Sequence, residues 1–494
     1  SQAATHKNEQ ILNYKECKYN SSKDFLETID NQKIKLIEVD IHDYRKWTVN
    51  GVRILTNRYR YVPEKFKRRF DSTVTVTLEN HTKCSFEGRV RHSGDEKDHI
   101  GMIENSITQS LDVHLINGNI KGITKFKLLR PLTRGNLEDE ILVTEVLRNL
   151  NFLAPRSFKV RARVNELTTI MLFQEKAAKE MLEFNKRREG PILEADERFF
   201  FKSVSKIEDN QKSGWDLGVV PLMNQSSKYM LSKQINTNIL EKGEAHKKMS
   251  FDAVNYLNLI YLYFSNRFQD EKNNFNYFDY DLENKLLSKF NDEKNFKLDE
   301  YNLFMQATNS NHGLAANNRK FYWNSIEDYF EPINYDSNSK INKNVSKDII
   351  RYPISNTLEK SFIILRKKIN NLNKSTILKN LELSGLNYSK EKLNKKFTKI
   401  LNNLDQLEKN YNNLASKKMI KHNEIKSIDN ILANFHKNLK KNHPDTYLIK
   451  SSFDMNNFQK CEIFLEKCIE ISLSSEDLSS LLEGELTKNN ADFQ

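Results

Sequence analysis

Residues Ser72 to Glu79 read S-T-V-T-V-T-L-E, an alternation with a period of two built on β-branched residues. It restricts the backbone strongly, because that period sends successive side chains to opposite faces of a strand and matches no helix. Asn80-His81-Thr82 supplies a turn directly after it, and Cys84 to His92 reads as the returning strand. Lys33 to Asp40, K-I-K-L-I-E-V-D, alternates more loosely. Ser110 to Leu115 is a further strand, closed by the turn Asn117-Gly118-Asn119. Residues 158–164 and 169–173 complete the set. Between them Asn136 to Leu150 reads as a helix, with Ile141, Val143, Val146, Leu147 and Leu150 on its apolar side. Glu138, Asp139 and Glu140 fill its first turn, where the helix dipole favours negative charge. The patterns predict a mostly antiparallel sheet over residues 25–175 with one inserted helix, behind a polar segment over 1–24.

Beyond residue 176 the period changes to that of helices. Only 14 glycines and 8 prolines occur in 494 residues, which argues against a turn-rich all-β chain. Phe251 to Phe268 is the strongest helix, and Tyr301–Ala307 is another. Leu393, Phe397, Ile400, Leu404, Leu407, Tyr411 and Leu414 form a heptad seam. An intramolecular hairpin explains it, with more helix over residues 425–439 and 457–473; a partner-binding coil is the alternative. The four cysteines Cys17, Cys84, Cys461 and Cys468 lack C-x-x-C spacing, and Cys461 and Cys468, seven apart, are expected as buried thiols on one helix face. The domain reading is 1–24, 25–175, 176–345 and a Lys/Asn-rich helical extension over 346–494.

The longest apolar stretch, Tyr256 to Phe264, falls far short of the roughly 20 residues of a membrane-spanning helix. A net charge of +12 suits acidic partners. No zinc-finger or RNA-recognition signature accompanies that charge, so nucleic acid is not the expected partner. The chain is expected to be soluble, with an N-terminus processed or truncated ahead of Ser1.

His312 to Asn338 carries the densest chemistry: H-G-L-A-A-N-N-R-K-F-Y-W-N-S-I-E-D-Y-F-E-P-I-N-Y-D-S-N. The amide pair Asn317-Asn318 stands at one end and Asp336 at the other, with the apolar strand Phe321-Tyr322-Trp323 between them. A carboxamide and a carboxylate brought together suit Mg²⁺, which takes one or two protein oxygens plus substrate phosphates. Asn, Asp and Gly are equally ordinary turn residues, and that reading stands beside the first.

Three stretches together resemble the CotH family of atypical, kinase-fold enzymes over roughly residues 70–345. They are R-V-R-H-S-G-D at Arg89–Asp95, the run from S-L-D-V-H-L to M-L-F-Q-E-K at Met171–Lys176, and the 312–338 stretch. The resemblance implies an α+β, two-lobed protein-kinase-like fold: a small β-rich lobe with one helix, a larger helical lobe, and here a C-terminal helical extension. It implies ATP and Mg²⁺ as cofactors and a protein acceptor, with phosphoryl transfer to Ser or Thr as the default reaction. On it, Asp336 and Asn318 take the metal, with Asn317 as neighbouring candidate and catalytic residue. Arg91 is a phosphate contact, Gln174, Glu175 and Lys176 lie where the nucleotide base would sit, and Glu140, with Glu145 as competitor, orients a cation. Two departures from the family pattern follow. The strand slots for the phosphate-binding Lys hold Asp112 and His114, so His114, Lys127 or Arg134 must serve. Where a catalytic Asp is usual the count reaches His312, which can act as a base near neutral pH. That change leaves room for AMP transfer or for ATP-dependent glutamylation with free glutamate on an acidic acceptor, and self-modification would report any of them. A non-catalytic binding protein is the remaining class.

Overall fold

The computed structural model describes residues 15–16, 31–58, 61–103, 105–197, 231–270, 282–345, 357–416, 447–452, 454–462 and 467–483. The chain forms two compact units, one of residues 1–133, 156–176 and 375–389, the other of residues 134–155, 177–374 and 390–494.

The first unit is built on seven strands: β1 (Ile34–Ile41), β2 (Phe70–Leu78), β3 (Thr82–His92), β4 (Leu111–Leu115), β5 (Lys125–Leu129), β6 (Ser157–Val164) and β7 (Leu167–Glu175). The order around the sheet is β3-β2-β1-β6-β7-β5-β4, and β4 pairs back onto β3, so the sheet closes into a barrel. All pairings in the ring are antiparallel except β1 with β6, which makes the barrel mixed. Alternate residues point inward, among them Ile37, Val39, Val74, Val76, Phe86, Val90, Val113, Phe126, Phe158 and Phe173, and form one continuous core. Helix α1 (Tyr44–Thr56) adds Trp47 to that core, edge-on to Phe70 at 5.3 Å.

This barrel overturns the expected two-lobed protein-kinase-like architecture, whose small lobe would be an open sheet. Six of the seven strands fall where the sequence places them, and β5 (Lys125–Leu129) was not among those expected. The difference is the β3–β4 pairing, which leaves the ring without the two free edges of an open sheet. Gly88 sits at the join, opposite Leu115. A Cβ there would lie 3.1 Å from Val74 Cγ2 and 3.3 Å from the His114 carbonyl, so the missing side chain lets β3 bend against both neighbours.

In the second unit α2 (Leu137–Asn149) begins at Asn136, whose side chain accepts from the amides of Glu138 and Asp139 at 3.0 and 3.2 Å. A four-stranded sheet of β8 (Ile192–Ala195), β9 (Ser232–Gln234), β10 (Lys320–Asn324) and β11 (Tyr329–Ile333) runs in the order β9-β8-β10-β11. Helix α3 (Glu244–Asp270) lays Leu257, Ile260, Tyr261 and Phe264 against Phe321, Trp323 and Phe330 of that sheet. Helix α4 (Asp292–Ala307) is buried along most of its length. The heptad seam lies on α6 (Lys390–Ser416), where Leu393, Phe397, Ile400, Leu404 and Leu407 are buried against α4 and α5 (Leu358–Asn370). The seam is therefore internal, although its partners are α4 and α5; the expected helix over 425–439 lies outside the described residues.

The described residues of the 457–473 stretch are not helical. They hold β13 (Phe458–Glu462) and β14 (Lys467–Ile471), antiparallel strands joined in one sheet to β12 (Tyr447–Ser451). Cys461 and Cys468 face each other across β13 and β14 and form a disulfide. A spacing of seven serves two turns of helix and a tight hairpin equally well, and the hairpin prevails here. Among the described residues no helix is long and apolar enough to cross a membrane.

Candidate functional site

The barrel's outward residues form a row across five strands. In register, Arg91 on β3 stands beside Asp112 on β4, then Lys127 on β5, Gln174 on β7 and Ser157 on β6. Asp112 is 2% exposed. It accepts from Arg91 Nε and Nη2 at 3.3 and 3.2 Å, from Lys176 Nζ at 2.8 Å and from Arg69 Nη2 at 3.4 Å. Burial is the largest influence on its carboxyl and works to raise the pKa. The combined charge of Lys176, Arg91 and Arg69 outweighs it and holds Asp112 well below the usual carboxylate range. Lys176 is pushed down, by burial first, with repulsion from Lys127 and Arg91 opposing the pull of Asp112. His114 sits one row along between Arg89 and Lys125, and burial followed by Lys125 and Arg69 lowers its pKa, so it is neutral at pH 7. This face thus carries Arg69, Arg91, Lys127 and Lys176 about one deeply placed carboxylate, a concentration of cation suited to phosphate oxygens.

Glu175 plays another part. Its side chain turns inward opposite Phe126 and takes Arg156 in a two-pronged ion pair, Nε–Oε2 2.9 Å and Nη2–Oε1 2.6 Å. It is engaged in holding β6 to β7.

The second unit gathers Arg134, Glu140, His312, Asn318 and Asp336. Arg134 has a side chain 2% exposed and lies between two carboxylates, Nη1 at 2.8 Å from Asp336 Oδ1 and Nε at 3.9 Å from Glu140 Oε1. Glu140, on α2, accepts from the amides of Ser337 and Ser339 at 3.4 and 3.3 Å. It therefore clamps the Asp336-Ser337-Asn338 loop. Complete burial, and then the charge of Asp336, raise its pKa against the pull of Arg134. Glu145 faces elsewhere and pairs with Arg148 on its own helix.

His312 Nδ1 lies 2.7 Å from the Asp336 carbonyl oxygen and 3.9 Å from Asp336 Oδ2. Asn318 Nδ2 donates to the His312 and Asp336 carbonyls at 3.1 and 3.3 Å. His312 Nδ1 also lies 3.0 Å from Asn318 Nδ2, and in the tautomer whose Nδ1–H donates to the Asp336 carbonyl, Nε2 on this half-exposed ring carries the lone pair. The two loops close together because Gly313 permits it: a Cβ there would stand 3.1 Å from the Tyr335 carbonyl and 3.2 Å from Ser337 Cα. Asn317 is turned away and donates to Glu197 Oε1 at 2.8 Å.

Among the described residues no group of three or more His, Cys, Asp or Glu is placed to hold a metal. The oxygen donors of this loop nevertheless fit a Mg²⁺ that takes few protein ligands. Asp336 is a carboxylate of intermediate exposure, and Asn338 Oδ1, two residues on, is buried with no hydrogen-bond partner among the described residues. Asp336 and Asn338 both adopt the left-handed backbone, φ 46° and 54°. Arg69, Ser157 and Glu197 were not legible as site residues, since each gains its place only from a neighbouring strand or loop; Asn338 was legible only as a flank of Asp336. The sequence matches no protein-family model and no curated protein.

Proposed function

We propose that this chain is an ATP- and Mg²⁺-dependent enzyme that modifies proteins, with phosphoryl transfer to Ser or Thr as its reaction. The observation that carries the reading is the cation-rich outer face of the barrel, where Arg69, Arg91 and Lys176 converge on Asp112 and Lys127 stands next in register. Guanidinium and ammonium groups fixed on strands bind a polyphosphate with little loss of side-chain freedom. The resemblance of three stretches to the CotH family supports ATP as the ligand. A reaction is not tied to one scaffold, so the barrel is compatible with it.

The second unit, taken by itself, carries residues suited to a metal ion and to proton transfer. Asp336, with the carboxamide oxygen of Asn338 or Asn318, would hold Mg²⁺. Bound there, the ion would supply positive charge to a substrate oxygen. His312 Nε2 would take the proton of an acceptor hydroxyl, and the bond from Nδ1 to the Asp336 carbonyl fixes the ring for that task.

The test is intact mass spectrometry after incubation with Mg²⁺-ATP, with and without free glutamate. A phosphate-sized increment is expected in the wild type and absent in Asp336→Ala, with His312→Gln slowed by roughly a hundredfold or more. An AMP-sized increment, or one that requires glutamate, would replace phosphoryl transfer with adenylate chemistry. Failure to bind ATP in calorimetry would leave a non-catalytic binding protein.

A further inference from the structure

Helix α6 carries a polar stripe beside its apolar seam. Lys392, Lys396, Lys399 and Asn403 each stand one residue ahead of the seam residues Leu393, Phe397, Ile400 and Leu404, so they share one side of the helix. The seam packs on α4 and α5, while the stripe grips the chain that follows Asp336. Lys396 Nζ donates to Asn342 Oδ1 at 3.0 Å, Asn403 Nδ2 donates to the Lys343 carbonyl at 2.9 Å, and Lys399 donates to Asn344. Lys396 reaches further. It is 8% exposed, and its ammonium also donates to Asp139 Oδ1 on α2 at 2.6 Å. The other oxygen of Asp139 accepts from the Ile341 amide at 3.0 Å. The neighbouring Glu140 accepts from the amides of Ser337 and Ser339. Two successive carboxylates of α2 thus hold alternate amides of one loop, at 337, 339 and 341. A solvated helix face needs no such burial, and immobilising a long lysine away from water is costly unless it is paired.

We infer that Lys396 is a positioning residue for the loop that carries Asp336, and that α6 is part of the support of the candidate site in the second unit. It acts through Asp139. The ammonium on Oδ1 fixes the rotation of that carboxylate and so aims Oδ2 at the Ile341 amide. The loop held in this way begins at Asp336, whose carbonyl orients the His312 ring. Releasing the clamp at Ile341 gives Asp336 a freedom it lacks, and the His312 ring loses a fixed partner. The inference rests on the reading of His312 and Asp336 above. It adds a residue from a helix outside the stretches that resemble the CotH family.

The experiment is amide hydrogen exchange on the full chain without nucleotide, in the wild type, Lys396→Met and Lys396→Arg. In Lys396→Met the amides of residues 337–341 should exchange about ten- to a hundredfold faster, while those of β10 and α3 keep their wild-type rates. Lys396→Arg retains a cationic donor and should restore most of the protection. The ring-nitrogen NMR shifts of His312 should move in the Met variant and return in the Arg variant, because the Asp336 carbonyl that fixes the tautomer is displaced and then recovered. Self-modification with Mg²⁺-ATP should slow and recover in the same two variants. Faster exchange spread equally through β10 and α3 would assign Lys396 to general stability and overturn the inference. Unchanged exchange at 337–341, or unmoved His312 signals, would overturn it as well. If Lys396→Met does not fold, Lys396→Gln keeps a neutral donor, and the same amides should loosen by a smaller factor; exchange at the wild-type rate there would count against the inference equally. Exchange and the His312 signals need no nucleotide, so they decide the inference even if the wild type gains no mass and the catalytic reading fails.

Discussion

Arg134 is held between Asp336 and Glu140, two carboxylates that would otherwise repel, and it is almost wholly buried. Removing only the cation leaves both acids in a place where one is already driven toward its neutral form. Arg134→Met should therefore destabilise the second unit by about 3–5 kcal/mol, the range for breaking a buried ion pair from one side. Urea titration measures it, and pairing the change with Glu140→Gln should recover part of the loss. His92 provides a residue-level test in the barrel. It is buried, its Nδ1 meets Gln109 Oε1 at 3.1 Å, and burial foremost pushes its pKa down to about 4. The folded ring thus stays neutral while the unfolded one protonates near 6.5, so stability falls as the pH drops from that value toward 4 and levels off below it. The full effect is about 3 kcal/mol, from the usual conversion of a pKa difference. Replacing His92 with Gln should flatten the stability–pH curve across that window, and an unchanged curve would assign the acid response elsewhere.

At the level of elements, much of the fold could be read in advance. The alternation at Ser72–Glu79 appears as β2, the returning strand as β3, and the helix after Asn136 as α2. A period of two states which face a residue occupies, but not which edges will meet, and so barrel closure was hidden. The hairpin of β13 and β14 was hidden for a different reason. Short strands with a spacing of seven between cysteines satisfy a helical template as readily. The candidate site divides in the same way. His312, Asn318 and Asp336 stood out because they are polar residues flanking an apolar strand. The charge about Asp112 could not be read, because Arg69, Arg91 and Lys176 reach it from separate places in the chain. Two element-level changes follow. Gly88→Val should cost about 1–3 kcal/mol through overpacking against Val74 and the β4 backbone, seen as a lower urea midpoint. Replacing Cys461 and Cys468 together by Ala should cost about 2 kcal/mol by loss of the cross-strand link. Proteolysis at the β13–β14 hairpin ahead of global unfolding would report it.

Over the whole molecule, the excess of 12 positive charges reads differently with the structure in hand. Much of α5 and α6 is basic, yet Lys392 and Lys396 answer Glu138 and Asp139 of α2, and Arg366 answers Asp405 and Glu408. Part of the charge is structural cement, while the barrel face concentrates cations about one carboxylate. Raised salt should therefore weaken tripolyphosphate binding strongly and thermal stability only modestly; parallel titrations in sodium chloride separate the two. The ring of strands has a further consequence for how the chain is made. Five of its strands lie before residue 130, and the two that complete it, β6 and β7, follow only after the chain has passed through residues 134–155 of the other unit. During synthesis the first five must wait, with β1 and β5 exposing unpaired backbone to any passing strand, until residue 175 has emerged. The nascent chain is thus most vulnerable to aggregation in that interval, and a fragment ending at residue 155 would remain in it permanently.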